Sequence, residues 1–294
     1  MSQETSEISS PPEGASGELS DWAEFARQIR VEAVRMVHAA RASHIGGALS
    51  MADILAVLYS GILHVRPEEP QWGDRDRMIL SKGHCCTTLY ATLALKGFFP
   101  LEELRSYGQD GSRLMAHISH KVPGVEFSTG SLGHGLPFGC GKALAAKRKG
   151  VDWRTFVMLS DGELDEGSNW EAILFAPQRG LDNLVAIVDY NKIQSLGSVS
   201  EVLELAPLAD KLRAFRWAVR EVDGHDHAQI GAALSTVPWE TSRPSCLIAH
   251  TIKGRGVSFM ENQLAWHYKS PDPEQLRRAL LEIESPGSPR PPAP

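Results

Sequence analysis

Between positions 161 and 166 the chain gathers Asp161, Glu163, Asp165 and Glu166, with no Lys or Arg in the surrounding stretch LSDGELDEGSNWEA. The carboxylates follow the apolar run Phe156, Val157, Met158, Leu159, so they stand at the end of what reads as a buried strand. A second apolar run, LVAIVDYN, ends in Asn191. If the two strands are neighbours, Asp161 and Asn191 face each other across a few ångströms. With the main-chain carbonyl of Ile193 they offer hard oxygen ligands of the kind Mg²⁺ takes, phosphate and water completing its shell. Gly162 and Gly167 in the strand-to-helix turn would present backbone N–H groups to a phosphate, yet the clustered acids would repel it. A divalent cation removes that conflict, and the expected bound species is a metal diphosphate. Glu163 and Asp165 also fit a plainer role as acids at a helix N-terminus.

Other phosphate and metal patterns fail on spacing. An EF-hand loop counted from Asp161 would need Gly where Glu166 stands and Glu where Ala172 stands. In GLPFGCGKA, Gly135 is one residue too far from Gly141 and Lys142 for a P-loop, and Ala143 replaces the metal-binding Ser or Thr. Around GSLGHG there is no G-x-G-x-x-G, so a nicotinamide fold of the usual kind is not expected. Histidines form a second group: His44 in SHIGG, His84 in SKGH, His117 in MAHISH and His267 in AWHYKSP. No HExxH occurs, and apart from His117 and His120 there is no short two-ligand spacing, which argues against zinc. Taken singly, each suits a satisfied core or surface role; what sets the four apart is their combination with the acidic segment.

The elements that must position these residues are legible in the apolar pattern. RMILSKGH, TFVMLSDG, LVAIVDYN, AVREVDG and SCLIAHTIKG are strand-length runs that end in Gly, Asn, Asp or His and alternate with helical stretches. This predicts an α/β fold, three layers α/β/α around a mostly parallel sheet, with ligands at the carboxyl ends of the strands. A helix is expected from Asp21, as N-cap with Glu24, through Trp22, Phe25, Ile29, Ala33 and Met36. The glycines of SHIGG should break it before a second helix from Met51 to about Leu63. Thr155 to Asn191 reads as strand, helix (Gly167 to Gln178), strand, and a last helix covers about Glu274 to Ile283.

Domain organisation follows: an acidic, disordered tail over 1–20, one domain over 21–284, and a Pro-rich tail over 285–294. With 30 Lys and Arg against 36 Asp and Glu, no nucleic-acid surface is expected. The N-terminus carries four Glu and no basic residue, unlike a signal peptide. The apolar stretch 45–65 is interrupted by Gly46, Gly47, Ser50, Asp53 and Gly61, which suits a buried helix better than a membrane span. Cys85, Cys86, Cys140 and Cys246 form no secreted-type framework, so a reducing, cytoplasmic setting is expected.

Taken together, SHIGGALSMADILAVLY, DRMILSKGH, GVEFSTGSLGHG, SDGELDEG, DYNKIQS and SFMENQLAWH resemble the N-terminal, diphosphate-binding domain of transketolases over about residues 22–271. The resemblance implies a thiamine diphosphate-binding fold and transfer of a two-carbon ketol unit from a ketose, or ketose phosphate, to an aldehyde acceptor. It implies that Asp161, Asn191 and the Ile193 carbonyl hold Mg²⁺. Gly162, with Glu163 and Asn191 beside it, would meet the diphosphate, and His84 and His267 would line its site. Gly130, Ser131 and Leu132 would touch the aminopyrimidine. His44, His117 and His267 would bond substrate hydroxyls and the developing alkoxide, with Glu166 and Glu171 nearer a subunit interface that links cofactor sites, Glu166 counting with the catalytic group.

Two departures stand out: Ser160-Asp161-Gly162 replaces a family-typical Gly-Asp-Gly, and Tyr268 follows His267 where the family often has glycine. In transketolases the glutamate that activates the aminopyrimidine lies on a second domain, which this chain does not reach. The expectation is therefore a split enzyme completed by a C-terminal, pyrimidine-binding subunit in a heterotetramer. The competing readings are the α subunit of a 2-oxo acid dehydrogenase or related decarboxylating synthase, a pathway-specific ketol transferase with an unusual acceptor, and a non-catalytic scaffold subunit.

Overall fold

All five of the strand-length runs become strands: β1 (Arg77–Leu80), β2 (Thr155–Ser160), β3 (Leu184–Tyr190), β4 (Ala218–Asp223) and β5 (Ser245–His250). The computed structural model describes residues 15–285; of the acidic tail expected as disordered over 1–20, residues 15–20 belong instead to the first helix, while residues 1–14 and the Pro-rich tail beyond Ser285 lie outside the described residues. The strands pair parallel throughout, in the order β1-β2-β3-β5-β4. Parallel strands need long crossovers, and helices supply them. In chain order these are α1 (Ala15–Ala40), α2 (Ile45–Ser50), α3 (Ala52–Val57), α4 (Cys86–Leu95), α5 (Gly135–Lys149), α6 (Gly167–Gln178), α7 (Val199–Val202), α8 (Leu208–Ala214), α9 (His227–Leu234) and α10 (Pro273–Glu284).

Successive strand side chains point to opposite faces, and here each face has its own core. Met78, Phe156, Met158, Val185, Ile187 and Leu247 pack with α1, α3, α4 and α9. Ile79, Val157, Leu159, Ala186, Val188 and Ile248 pack with α5, α6 and α8 on the other side. The central strands are thus buried on both faces, which is why they read as unbroken apolar runs rather than alternating ones. This is the three-layer α/β/α fold expected from the sequence.

Two helix boundaries differ from expectation. The first helix starts at Ala15, so Asp21 lies inside it rather than capping it. Glu24 turns toward the C-terminus instead, accepting from Arg27 Nε at 2.6 Å and Gln28 Nε2 at 2.9 Å. The first helix ends at Ala40, ahead of Gly46 and Gly47, which do not break it but lie within α2; a further interruption falls at Met51, between α2 and α3, and a π-helical turn over Leu58–Ile62 ends the run. The glycines serve close approach: a Cβ on Gly46 would stand 3.1 Å from Lys253 Cγ, and one on Gly47 would stand 3.0 Å from Cys85 Sγ. Among the described residues no helix is long and apolar enough to cross a membrane.

Helix α5 shows how tightly the layers are set, because a Cβ on Gly139 would come within 2.5 Å of Val157 Cγ2 on β2. Gly139→Ala should therefore cost about 1–3 kcal/mol by overpacking. Urea unfolding of the variant against wild type measures this, and an unchanged midpoint would contradict the packing.

Candidate functional site

A cleft of about 230 Å³ opens over the carboxyl ends of β1, β2, β3 and β5, where a sheet of this topology leaves room for ligands. One wall is acidic and amidic. Asp161, buried at the end of β2, accepts from its neighbour Gly162 N at 2.7 Å and from Lys192 N at 2.6 Å. The second bond ties the loops after β2 and β3 together, so the adjacency expected of Asp161 and Asn191 is realised. Asn191 Oδ1 accepts from Ile193 N at 3.2 Å, and the Ile193 carbonyl looks toward Lys253, whose Nζ lies 2.7 Å away. Burial, with the charge of Asp189 added, pushes Asp161 up to about 6.

The opposite wall is a group of imidazoles. His44 is the hub: its ring centroid lies 5.0 Å from that of His84, 4.9 Å from His267 and 6.1 Å from His117. Their positions follow from backbone bonds. His44 N donates to His267 O at 2.8 Å, Ile118 N donates to Gly83 O at 3.1 Å, and Tyr90 Oη donates to His117 O at 3.2 Å. His44 itself takes a left-handed conformation, φ 70°, at the start of α2, a strained choice that aims its ring into the cleft. Its Nδ1 is buried without a partner. Burial, then the charges of His117, Lys253 and Lys82, pulls His44 down to about 4. Burial and the Lys253 charge take His267 to about 3, and burial with Lys82 holds His84 well below the usual imidazole range. These rings are neutral hydrogen-bonding groups at neutral pH.

Two lysines complete the cleft. Lys82 is almost wholly buried and pairs with Asp189, which is itself fully enclosed. Asp189 also accepts from Ser50 Oγ at 2.6 Å and from Thr251 Oγ1, while Lys82 donates to Gly47 O at 3.1 Å. Burial disfavours the Lys82 ammonium, but the Asp189 carboxylate outweighs it and raises the pKa above the usual lysine range. Lys253, lacking such a carboxylate, is lowered to about 8 by burial and the nearby Lys82 charge. It reaches His267 Nδ1 at 3.0 Å.

Most sequence-predicted residues meet in this one cleft: His44, His84, His117, His267, Gly130, Leu132, Asp161, Gly162, Asn191 and Ile193 all border it. Ser131, Glu163 and Glu166 do not. Ser131 is exposed between two bordering residues, and Glu166 is exposed at the start of α6. Glu163 points inward and is completely buried, accepting from Ser81 Oγ, from Gly133 N at 2.9 Å and from Ser160 N at 3.4 Å. Its carboxylate ties the loops after β1 and before α5 to the end of β2 in place of a contact with the cleft, while Glu163 and Asp165 keep the expected helix-start position in the first turn of a short 3-10 helix over Gly162–Asp165. Lys82 and Lys253 were missed, although each follows a strand run directly and precedes a glycine, in SKG and IKG.

Residues 22–279 match the family described as transketolase, thiamine diphosphate binding domain. The chain is similar to one of the subunits of the apulose-4-phosphate transketolase of Phocaeicola vulgatus, 43% identical over 86% of this chain and 90% of that protein. It is 42% identical to the 6-deoxy-6-sulfo-D-fructose transketolase subunit SqwG of a Clostridium species, over 83% of this chain and 90% of that one. Among solved structures, transketolase from Leishmania mexicana superposes with a TM-score of 0.84 at 30% identity, over 90% of this chain and 41% of that chain. The chain thus spans about two fifths of the solved transketolases it matches.

Asp189→Asn, which strands the buried Lys82 charge, should cost about 3–5 kcal/mol, measurable by urea unfolding; a wild-type midpoint would mean the pair carries no such load. The neutral rings also set a pH dependence. The unfolded chain takes up protons near the ordinary histidine pKa of 6.5, whereas His44 and His267 resist until about 4 and about 3. Stability from these groups is therefore full above pH about 6.5 and falls as pH drops through that window. Nitrogen-15 spectra of the imidazoles at pH 5.5 should show both rings neutral, and charged rings there would contradict the geometry.

Proposed function

The chain belongs to the transketolase family through its thiamine diphosphate-binding domain, and on that premise we propose that it is the N-terminal subunit of a two-subunit transketolase. It moves a two-carbon ketol unit from a ketose, or its phosphate, to an aldehyde acceptor. A C-terminal subunit supplies the pyrimidine-binding domain in a heterotetramer, in the cytoplasm. Support for the partner comes from relatives that are themselves named as transketolase subunits, of which the chain covers about nine tenths. Support for a reducing compartment comes from the four cysteines, all buried and free.

The observation that carries the reading is one cleft in which an oxygen wall faces neutral imidazoles across two lysines. The donor set fits Mg²⁺: one carboxylate, Asp161, one amide oxygen, Asn191, and one main-chain carbonyl, Ile193, leave most of the shell for phosphate and water. The elevated pKa of Asp161 marks a carboxylate whose desolvation a cation would offset. Lys253 occupies one of the two lone pairs of the Ile193 carbonyl, leaving the other for the metal. Gly162 can be approached closely because it has no side chain, and Gln194 packs over it. Gly130 and Leu132 also border the cleft, Gly130 against the His117 ring.

Bound thiamine diphosphate would supply the carbanion that attacks the ketose carbonyl. The chain's residues do the rest. Protonated Lys253 donates to His267 Nδ1, so Nε2 carries the proton and faces the cleft as a donor. His44 and His117 bracket the same space and can hold sugar hydroxyls while negative charge develops on the carbonyl oxygen. Because neither His44 nor His267 titrates near neutrality, they act as fixed donors that let go of protons reluctantly, not as permanent cations.

The family match sets the 2-oxo acid dehydrogenase reading aside, and the intact cleft opposes a scaffold role. A pathway-specific variant keeps one supporting observation. Tyr268, 60% exposed, stands beside the cleft residue His267 with ring centroids 4.8 Å apart, and the related subunits named above act on different sugars by name.

Asp161→Ala should weaken Mg²⁺-dependent binding of thiamine diphosphate by roughly 100-fold or more, read by titration calorimetry on the assembled enzyme. Ketol transfer should arise when the pyrimidine-domain subunit is added. Undiminished cofactor binding in the variant would remove the metal assignment, and full activity of this chain alone would remove the split-enzyme reading.

A further inference from the structure

Lys253 is held in place by a second constellation that does not border the cleft. Asp53 on α3 is buried and accepts from both terminal nitrogens of Arg30 on α1, from His225 Nδ1 at 2.7 Å and from His227 Nε2 at 2.9 Å. His225, in the loop from β4 to α9, is engaged on both sides of its ring. Its Nε2 lies 2.8 Å from the backbone N–H of Ile252 and accepts from it. A nitrogen that accepts an amide proton carries none, so Nδ1 holds the ring proton and donates to Asp53. The residue after Ile252 is Lys253.

The segment from Thr251 to Gly254 is pinned at every step. Thr251 N donates to Tyr190 O at 3.2 Å, Gly254 N donates to Gly46 O at 2.8 Å, and the Lys253 carbonyl accepts from Asn262 N at 2.9 Å. Among these bonds, that of Ile252 goes to a side chain. The loop bearing His225 is brought against the segment by Gly224, where a Cβ would stand 2.4 Å from Thr251 Cγ2. Gly224 N also donates to His250 O at 2.8 Å.

We propose that Asp53 and His225 are positioning residues for Lys253. Asp53 fixes the tautomer and orientation of His225, and His225 fixes the Ile252 amide. The Lys253 ammonium is thereby kept 2.7 Å from the Ile193 carbonyl and 3.0 Å from His267 Nδ1. A carboxylate oriented by arginine, acting through a histidine on a backbone amide, transmits position without touching ligand. That Lys253 then serves a diphosphate rests on the function proposed above.

Two variants separate this role from simple packing, since both lose the ring. In His225→Gln the side-chain oxygen reaches about as far as Nε2 and can accept from Ile252. In His225→Asn the amide reaches about as far as Nδ1, so it can donate to Asp53 but not span to Ile252. The readout on the full chain is the rate at which acetic anhydride acetylates Lys253, with the exposed Lys121 as internal reference, followed by peptide mass spectrometry. Loss of one positioning bond should raise Lys253 labelling in His225→Asn by roughly five- to tenfold. His225→Gln should stay within about twofold of wild type. Binding of inorganic pyrophosphate with Mg²⁺, by calorimetry, should weaken in parallel in His225→Asn and recover in His225→Gln.

Equal Lys253 labelling in wild type and both variants would overturn the proposal, as would equal acceleration in both, which packing loss alone would give. If wild type fails to bind pyrophosphate, the proposed function falls, while the labelling pattern still decides the positioning role.

Discussion

The cleft depends on one buried ion pair. Lys82 leaves β1, Asp189 closes β3, and the two meet beneath the cleft floor with almost no solvent contact. Two charges taken out of water are costly unless their remaining bonding capacity is filled. Here it is filled by Gly47 O and Ser50 from α2 and by Thr251 after β5. Four separate segments are thus tied to a single charge pair, and each of them carries a cleft residue or leads directly into one.

That pair also sets the electrostatics above it. Its ammonium end adds to burial in keeping His44, His84 and His267 uncharged and in lowering Lys253, while its carboxylate end adds to burial in raising Asp161. The cleft therefore offers neutral donors on one side and a carboxylate in need of a cation on the other. Such an arrangement suits an anionic ligand that arrives with a divalent metal, because ligand and metal each satisfy what the other wall lacks. Glu163 makes a useful contrast. It is as deeply buried as Asp161, but its oxygens are filled by Ser81, Gly133 and Ser160, so it holds loops together rather than meeting a ligand.

The five strand runs, their parallel pairing and helix α6 were legible because apolar runs of strand length, separated by helical stretches, have few other ways to be buried. The residues on the strand ends were legible for the same reason: once β2 and β3 are neighbours, Asp161 and Asn191 must be close. Helix boundaries were less so. Glu24 could cap or could pair with Arg27, and Gly46 and Gly47 could end a helix or let it approach Lys253; sequence spacing gives both choices equal standing.

Residue types and local spacing by themselves determined the sheet, the two-sided core and the oxygen wall, since these rest on period, strand adjacency and the chemistry of short motifs. Tertiary structure alone decided that Glu163 turns inward, that Lys82 pairs with a residue 107 positions away, and that His225 takes hold of the Ile252 amide. The reason is physical. Periodicity fixes which face a side chain takes, but which of several buried carboxylates keeps a free oxygen is settled only when every donor around it has chosen its partner.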